Sequence, residues 1–235
     1  MPSDNIIPTV LNFACTSLDL SNKLLSLEQI ANLDFSQFSH LEELNLSNLG
    51  LEQLPKGLPI TLKKLICCKN NFENQDSLIE LANLINLEYL NCSNCNISSL
   101  ECIPPNLKIL ICRENNISSL DNLPPTLIIL NCCWNLITHL NYLPFGLQEL
   151  YCSYNSLKEL PHLPLQLKVL DCSKCSIKNL DNVPDSVEIL YCQKNLIIKF
   201  ARLPSNLKEL ACAGNPFIYT FPPTIQNIIK SLCEI

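Results

Sequence analysis

Leu107-Lys108-Ile109-Leu110-Ile111-Cys112-Arg113-Glu114-Asn115-Asn116-Ile117 states a phrase, Leu-x-x-Leu-x-Cys-x-x-Asn-x-Ile/Leu, that recurs along the chain. Its cysteine returns as Cys67, Cys92, Cys112, Cys132, Cys152, Cys172, Cys192 and Cys212, spaced by twenty residues after the first gap. A fixed period of this length marks a solenoid, in which a short unit unable to close a core alone stacks on copies of itself. With the first leucine as position one, repeats begin at Cys15 (degenerate), Leu41, Leu62, Leu87, Leu107, Leu127, Leu147, Leu167, Val187 and Leu207.

Positions one, four, six, eleven and fourteen are apolar, so each turn of chain wraps its own leucines and closes the core against its neighbours. Positions three to five alternate outward and inward, which predicts a short strand. Stacked strands run parallel about 4.8 Å apart and line one concave face. The return path of a twenty-residue unit is too short for a full helix. Its prolines fix φ and remove N–H donors, favouring an extended convex side. Two longer repeats differ. Ser26-Leu27-Glu28-Gln29 carries a capping box, and the stretch from Asp76 to Leu84 pairs an N-cap-like Asp with helical spacing. Short convex helices are expected in both places. The fold class is an α/β repeat: a solenoid with a parallel concave sheet and a mostly extended convex side.

The pattern resembles the leucine-rich repeat, over nearly the whole chain. The linking phrases Leu123-Pro124-Pro125-Thr126-Leu127 and Leu203-Pro204-Ser205-Asn206-Leu207 are similar to those of the short class found in bacterial effectors and in repeat proteins of amoeba-infecting large viruses. Cysteine at position six is a variant associated with the viral and environmental bacterial members. The resemblance implies a binding surface on the concave strands and supplies no catalytic residues. Some effectors with similar repeats carry a ubiquitin-ligase domain after the array. This chain ends about two dozen residues past its last repeat start, leaving no room for one, so a noncatalytic arm is expected.

The rhythm divides the chain into an N-terminal cap (1–14), an array of about ten repeats (15–220) and a C-terminal segment (221–235). Ile225, Ile228, Ile229 and Leu232 fall at i, i+3, i+4, i+7, which predicts a capping helix. No stretch is apolar for long enough to span a bilayer, and the N-terminus lacks the pattern of a secretory signal. A cytoplasmic protein, host cytosol included, is expected. The net charge of −6 argues against nucleic-acid partners, which require a basic footprint. The glycines, Gly50, Gly57, Gly146 and Gly214, are too dispersed for a phosphate-binding loop.

Fifteen cysteines raise the question of disulfides or metal. Position six points inward, where a free cysteine acts as a small hydrophobe, and rungs about 4.8 Å apart with parallel Cβ vectors fit a disulfide poorly. A reduced ladder is expected. Cys92-x-x-Cys95 and Cys172-x-x-Cys175 imitate halves of a zinc site, but four strand spacings (roughly 19 Å) separate them. Position nine elsewhere holds Asn70, Asn115, Asn135, Asn155, Asn195 and Asn215, whose amides are expected to bond buried backbone; Cys95 and Cys175 replace that anchor, and Leu49 lacks it. Cys68 and Cys133, at position seven, are expected to be exposed bystanders. No cofactor or metal is expected, although thiol-based metal or redox chemistry stays as a third alternative.

The concave face can be listed from the register. Ile109, Ile111, Ile129, Tyr151, Val169, Ile189 and Tyr191 occupy positions three and five of consecutive repeats, and Trp134 and Tyr154 occupy position eight. Exposed apolar and aromatic clusters mark interaction sites, with Arg113, Glu114, Asp171 and Lys174 as a polar rim. Cross-strand packing alone would also place β-branched residues here. His139 and His162 lie on return segments, outside any nucleophile motif. The expected function is a protein–protein interaction module gripping a macromolecular partner, as a pathogen or viral protein engages a host protein. The alternative is a structural component that self-assembles into a larger particle.

Overall fold

The computed structural model describes residues 12–22, 26–218 and 222–233. Ten three-residue strands, β1 (Ser17–Asp19), β2 (Glu43–Asn45), β3 (Lys64–Ile66), β4 (Tyr89–Asn91), β5 (Ile109–Ile111), β6 (Ile129–Asn131), β7 (Glu149–Tyr151), β8 (Val169–Asp171), β9 (Ile189–Tyr191) and β10 (Glu209–Ala211), form one parallel sheet in chain order. The register matches like positions throughout, as in Ile109 opposite Ile129 and Tyr151 opposite Asp171. From β3 to β9 the central residue of each strand is buried and its two neighbours are half-buried.

Three ladders hold the stack. The leucines of positions one and four are buried in nearly every repeat, and Cys67, Cys92, Cys112, Cys132, Cys152, Cys172 and Cys192 are fully buried beneath them. All fourteen described cysteines are free. The third ladder is polar. Asn135 Nδ2 donates to the carbonyls of Cys112 and Cys132, while its Oδ1 accepts from Ile117 N–H of the preceding turn at 3.0 Å. Asn70, Asn115, Asn155, Asn195 and Asn215 repeat this bridge between turns. Buried carbonyls and N–H groups that no strand reaches are satisfied this way.

The return segments between residue 100 and β10 contain neither helix nor strand. Each ends in a turn whose proline carbonyl accepts from the leading residue of the next repeat, as Pro124 does from Leu127. The longer repeats do carry helices. α1 (Leu27–Ala31) starts at Ser26 with a reciprocal capping box through Gln29. Phe35–Gln37 adds one 3-10 turn that the sequence did not announce. Gln75–Asn83 is a 3-10 helix, and its N-cap is Asn74, not Asp76. Asn74 Oδ1 accepts from Asp76 N–H, which moves the start upstream. α2 (Ile225–Cys233) closes the described chain and buries Ile228 in the core, with Ile229 on its exposed side. The N-terminal cap expected over 1–14 lies almost entirely outside the described residues. Among the described residues, no helix is long and apolar enough to cross a membrane.

Candidate functional site

Position eight stands just beyond each strand, and there the backbone turns left-handed. Asn48, Lys69, Asn94, Glu114, Trp134, Tyr154, Lys174 and Lys194 all have φ between 52° and 58°, and Gly214 ends the row at 75°. This conformation suits glycine and asparagine and costs other residues roughly 1–2 kcal/mol. The ladder continues through it: Trp134 N–H donates to Ser153 O at 2.9 Å and Tyr154 N–H to Ser173 O at 3.0 Å. Position-eight side chains therefore project from a rigid backbone at the repeat spacing.

Trp134 and Tyr154 use that spacing to stack, with ring centroids 3.5 Å apart and planes 14° apart. Lys174 continues the column, its Nζ 3.9 Å from the Tyr154 ring centroid and donating to the Tyr154 hydroxyl. Trp134 stays 48% exposed at the other end. In the preceding repeats a shallow hollow lined by Asn91, Ile111, Asn131, Lys69, Asn94 and Glu114 joins position five to position eight.

The remaining candidate residues gather as the register dictates. Ile109 lies opposite Ile129, Val169 opposite Ile189, and Asp171 between Tyr151 and Tyr191. These, with Ile111 and Tyr154, are half-buried by their neighbours; Trp134 and Arg113 are exposed. Arg113 is held by Glu114, Nε to Oε1 at 3.0 Å. The apolar rows are interrupted by Glu149, whose carboxylate accepts from the Tyr151 hydroxyl at 2.9 Å. Tyr191 donates likewise to Glu209 at 2.7 Å. Burial, followed by the bond to Glu149, pushes the Tyr151 hydroxyl up to about 12.

Two expectations require correction. Cys133 is buried, not exposed: Ser153 from the next repeat folds over it and donates to its sulfur at 3.1 Å, and burial raises the thiol pKa. Cys68 is half-buried and donates to Ser47 Oγ at 3.2 Å. Position seven lies where consecutive turns overlap, which alternation along a strand does not convey. Cys95 donates to the carbonyls of Cys67 and Ser93, at 3.2 and 3.3 Å, as Cys175 does to those of Cys152 and Ser173. Both substitute for the asparagine rung. Among the described residues, no group of three or more His, Cys, Asp or Glu side chains is arranged to hold a metal ion.

A second apolar feature escaped the sequence argument. On the return segments Phe145 and Leu165 occupy the same position of adjacent repeats and are 93% and 83% exposed, with Tyr142, three residues before Phe145, at 76%. The signal was present in Pro144-Phe145-Gly146 and Pro164-Leu165-Gln166, where an apolar residue fills the turn.

The family model described as Leucine Rich Repeat matches residues 86–105, the repeat that begins at Leu87 with its Pro-bearing return. The YopM structure from Yersinia enterocolitica superposes with a TM-score of 0.70 and 35% identity over 77% of this chain and 39% of that one. This chain is a leucine-rich-repeat protein with short repeats. YopM from Yersinia pestis, described as a leucine-rich effector protein, gives a TM-score of 0.74 and 30% identity, covering 83% of the repeat protein and 54% of YopM. The repeat protein thus spans about half or less of these relatives. The functional domain of InlJ from Listeria monocytogenes, whose structure includes a cysteine ladder, shares the fold at a TM-score of 0.60 and 23% identity, over 86% of this chain and 50% of that one. A comparison with curated proteins found no match.

Proposed function

We propose that this leucine-rich-repeat protein is a noncatalytic binding module that docks a protein partner on its concave face, with the Trp134–Tyr154 column as the anchor. One observation carries this: two bulky aromatics occupy consecutive positions of a left-handed row that holds only asparagine, glycine, lysine or glutamate in the other repeats. Residues held in a sparsely populated conformation cluster at functional sites, and Trp and Tyr are the side chains most enriched at interface hot spots. The stacked repeats fix the surface in advance, so little conformational entropy is lost when a partner docks. Likeness to YopM, an effector, favours a host protein as the partner and the host cytosol as the place of encounter.

The test is a quantitative pull-down from host-cell cytosol, comparing wild type with the double variant Trp134→Asn, Tyr154→Asn. A partner retained by wild type and lost by the variant supports the docking face. Equal capture by both sinks it.

The exposed side chains of Tyr142, Phe145 and Leu165 on adjacent return segments support a second reading, self-association, because exposed apolar surface marks interaction sites. Sedimentation velocity across a concentration series distinguishes it from a monomeric binding arm.

A further inference from the structure

The C-terminal half of the sheet face differs in charge from the rows around it. Position two sets opposite charges side by side, pairing Lys63 with Glu42 at 2.7 Å, Lys108 with Glu88 at 2.8 Å and Lys208 with Glu188 at 2.5 Å. Positions three and five of β7–β10 carry Glu149, Asp171 and Glu209 and no lysine or arginine. None of these three carboxylates enters an ion pair among the described residues. The bordering cations at position eight are Lys174, which sits on the Tyr154 ring, and Lys194.

The fold does not need the charge on Asp171. Its Oδ1 accepts from Ser173 N–H at 3.0 Å, and in other repeats Asn45, Asn91 and Asn131 make the same bond to the residue two positions on, at 3.1–3.3 Å. A neutral amide serves this rung elsewhere in the same chain, so the negative charge is available to a ligand. Tyr151 and Tyr191 flank Asp171 in register, and their hydroxyls are committed to Glu149 and Glu209. Two strand spacings set the tyrosine backbones about 10 Å apart. A cation over Asp171 then lies one strand spacing, about 5 Å, from the backbone of each tyrosine, and a cation–π contact reaches roughly 6 Å from a ring centroid. A planar guanidinium stacks on aromatic rings and meets a carboxylate with paired donors, which an ammonium does less well.

We propose that this half of the face selects an arginine-bearing peptide segment, its guanidinium seated over Asp171 between Tyr151 and Tyr191 while an apolar side chain of the same segment covers Trp134. The proposal rests on the concave face being the docking surface and adds the chemistry of what docks. Two strands across and three residues along separate Trp134 from Asp171 by roughly 14 Å, the reach of about four extended residues.

The experiment is fluorescence anisotropy of a fluorescein-labelled Ser/Gly peptide carrying Phe and Arg about four residues apart, titrated with the full chain at physiological ionic strength. A counterpart with Glu for Arg is the control ligand. Asp171→Asn removes the charge and keeps the turn; Asp181→Asn makes the same charge change on a return segment. The expected result is saturable binding of the arginine probe, weakened at least about tenfold by Asp171→Asn, unchanged by Asp181→Asn and absent for the glutamate probe. No saturable binding of the arginine probe, no effect of Asp171→Asn, or equal losses in both variants would overturn the proposal. If the arginine probe fails while the pull-down still depends on Trp134 and Tyr154, the docking face stands and its selectivity for a cation falls.

Discussion

Trp134 and Tyr154 meet face to face, 3.5 Å between ring centroids, on backbone that is left-handed at both residues. The stack offsets only part of the conformational cost, since an aromatic pair contributes about 0.5–1.5 kcal/mol beyond its buried area against roughly 1–2 kcal/mol per residue for the backbone. Asparagine fits this row at Asn48 and Asn94. The double variant Trp134→Asn, Tyr154→Asn is therefore expected to keep or raise the melting temperature while losing the partner. A fall of several degrees would mean that the pair serves the fold.

The asparagine ladder should be costly to interrupt. Asn135→Ala leaves Ile117 N–H without its acceptor and removes one of the two amide donors to each of the Cys112 and Cys132 carbonyls, which keep Asn115 and Asn155, an expected loss of about 2–3 kcal/mol. Asn135→Cys should cost clearly less, because Cys95 and Cys175 already occupy this rung. Urea unfolding midpoints at unchanged slope provide the measurement.

Buried thiols set the alkaline limit of stability. Burial raises the pKa of Cys67, Cys112, Cys152 and Cys172 well above 9.0. The folded state thus holds protons that the unfolded chain releases first as pH rises. Stability contributed by these thiols is complete below the unfolded value and falls above about pH 9, by about 1.4 kcal/mol per thiol for each pH unit. Thermal melts under reducing conditions should show a plateau to about pH 8 and a steep decline beyond it. A melting temperature independent of pH through pH 10 would contradict the buried ladder.

The exposed side chains of Tyr142, Phe145 and Leu165 predict concentration-dependent sedimentation of the wild-type chain. Phe145→Ser with Leu165→Ser should abolish it and leave partner capture intact, since both side chains are almost fully exposed and support no core.

Much of this was legible in the residues because a solenoid converts period directly into position. The spacing of Cys112, Cys132 and Cys152 placed them in one buried column, and Asn135 with Asn155 followed as the polar column beside it. Periodicity failed where a residue's surroundings come from the next turn. Ser153 buries Cys133, and Asn74 captures the start of a helix that Asp76 seemed to begin. The Trp134–Tyr154 stack was foreseen only as proximity. Its face-to-face geometry depends on a left-handed turn, which nothing in Cys133-Trp134-Asn135 announces, because the residues that ordinarily mark such a turn are glycine and asparagine. Phe145 stands in a turn ahead of the next strand, outside the alternation that sorts inward from outward positions.

The central claim is most directly tested by the equilibrium affinity of the captured partner for three proteins: wild type, Trp134→Asn with Tyr154→Asn, and Phe145→Ser with Leu165→Ser. Binding through the concave anchor predicts a loss of at least about tenfold in the first double variant, hot-spot truncation costing more than 1 kcal/mol, and an unchanged affinity in the second. Unchanged affinity in the aromatic variant, with the loss confined to the second, would contradict it.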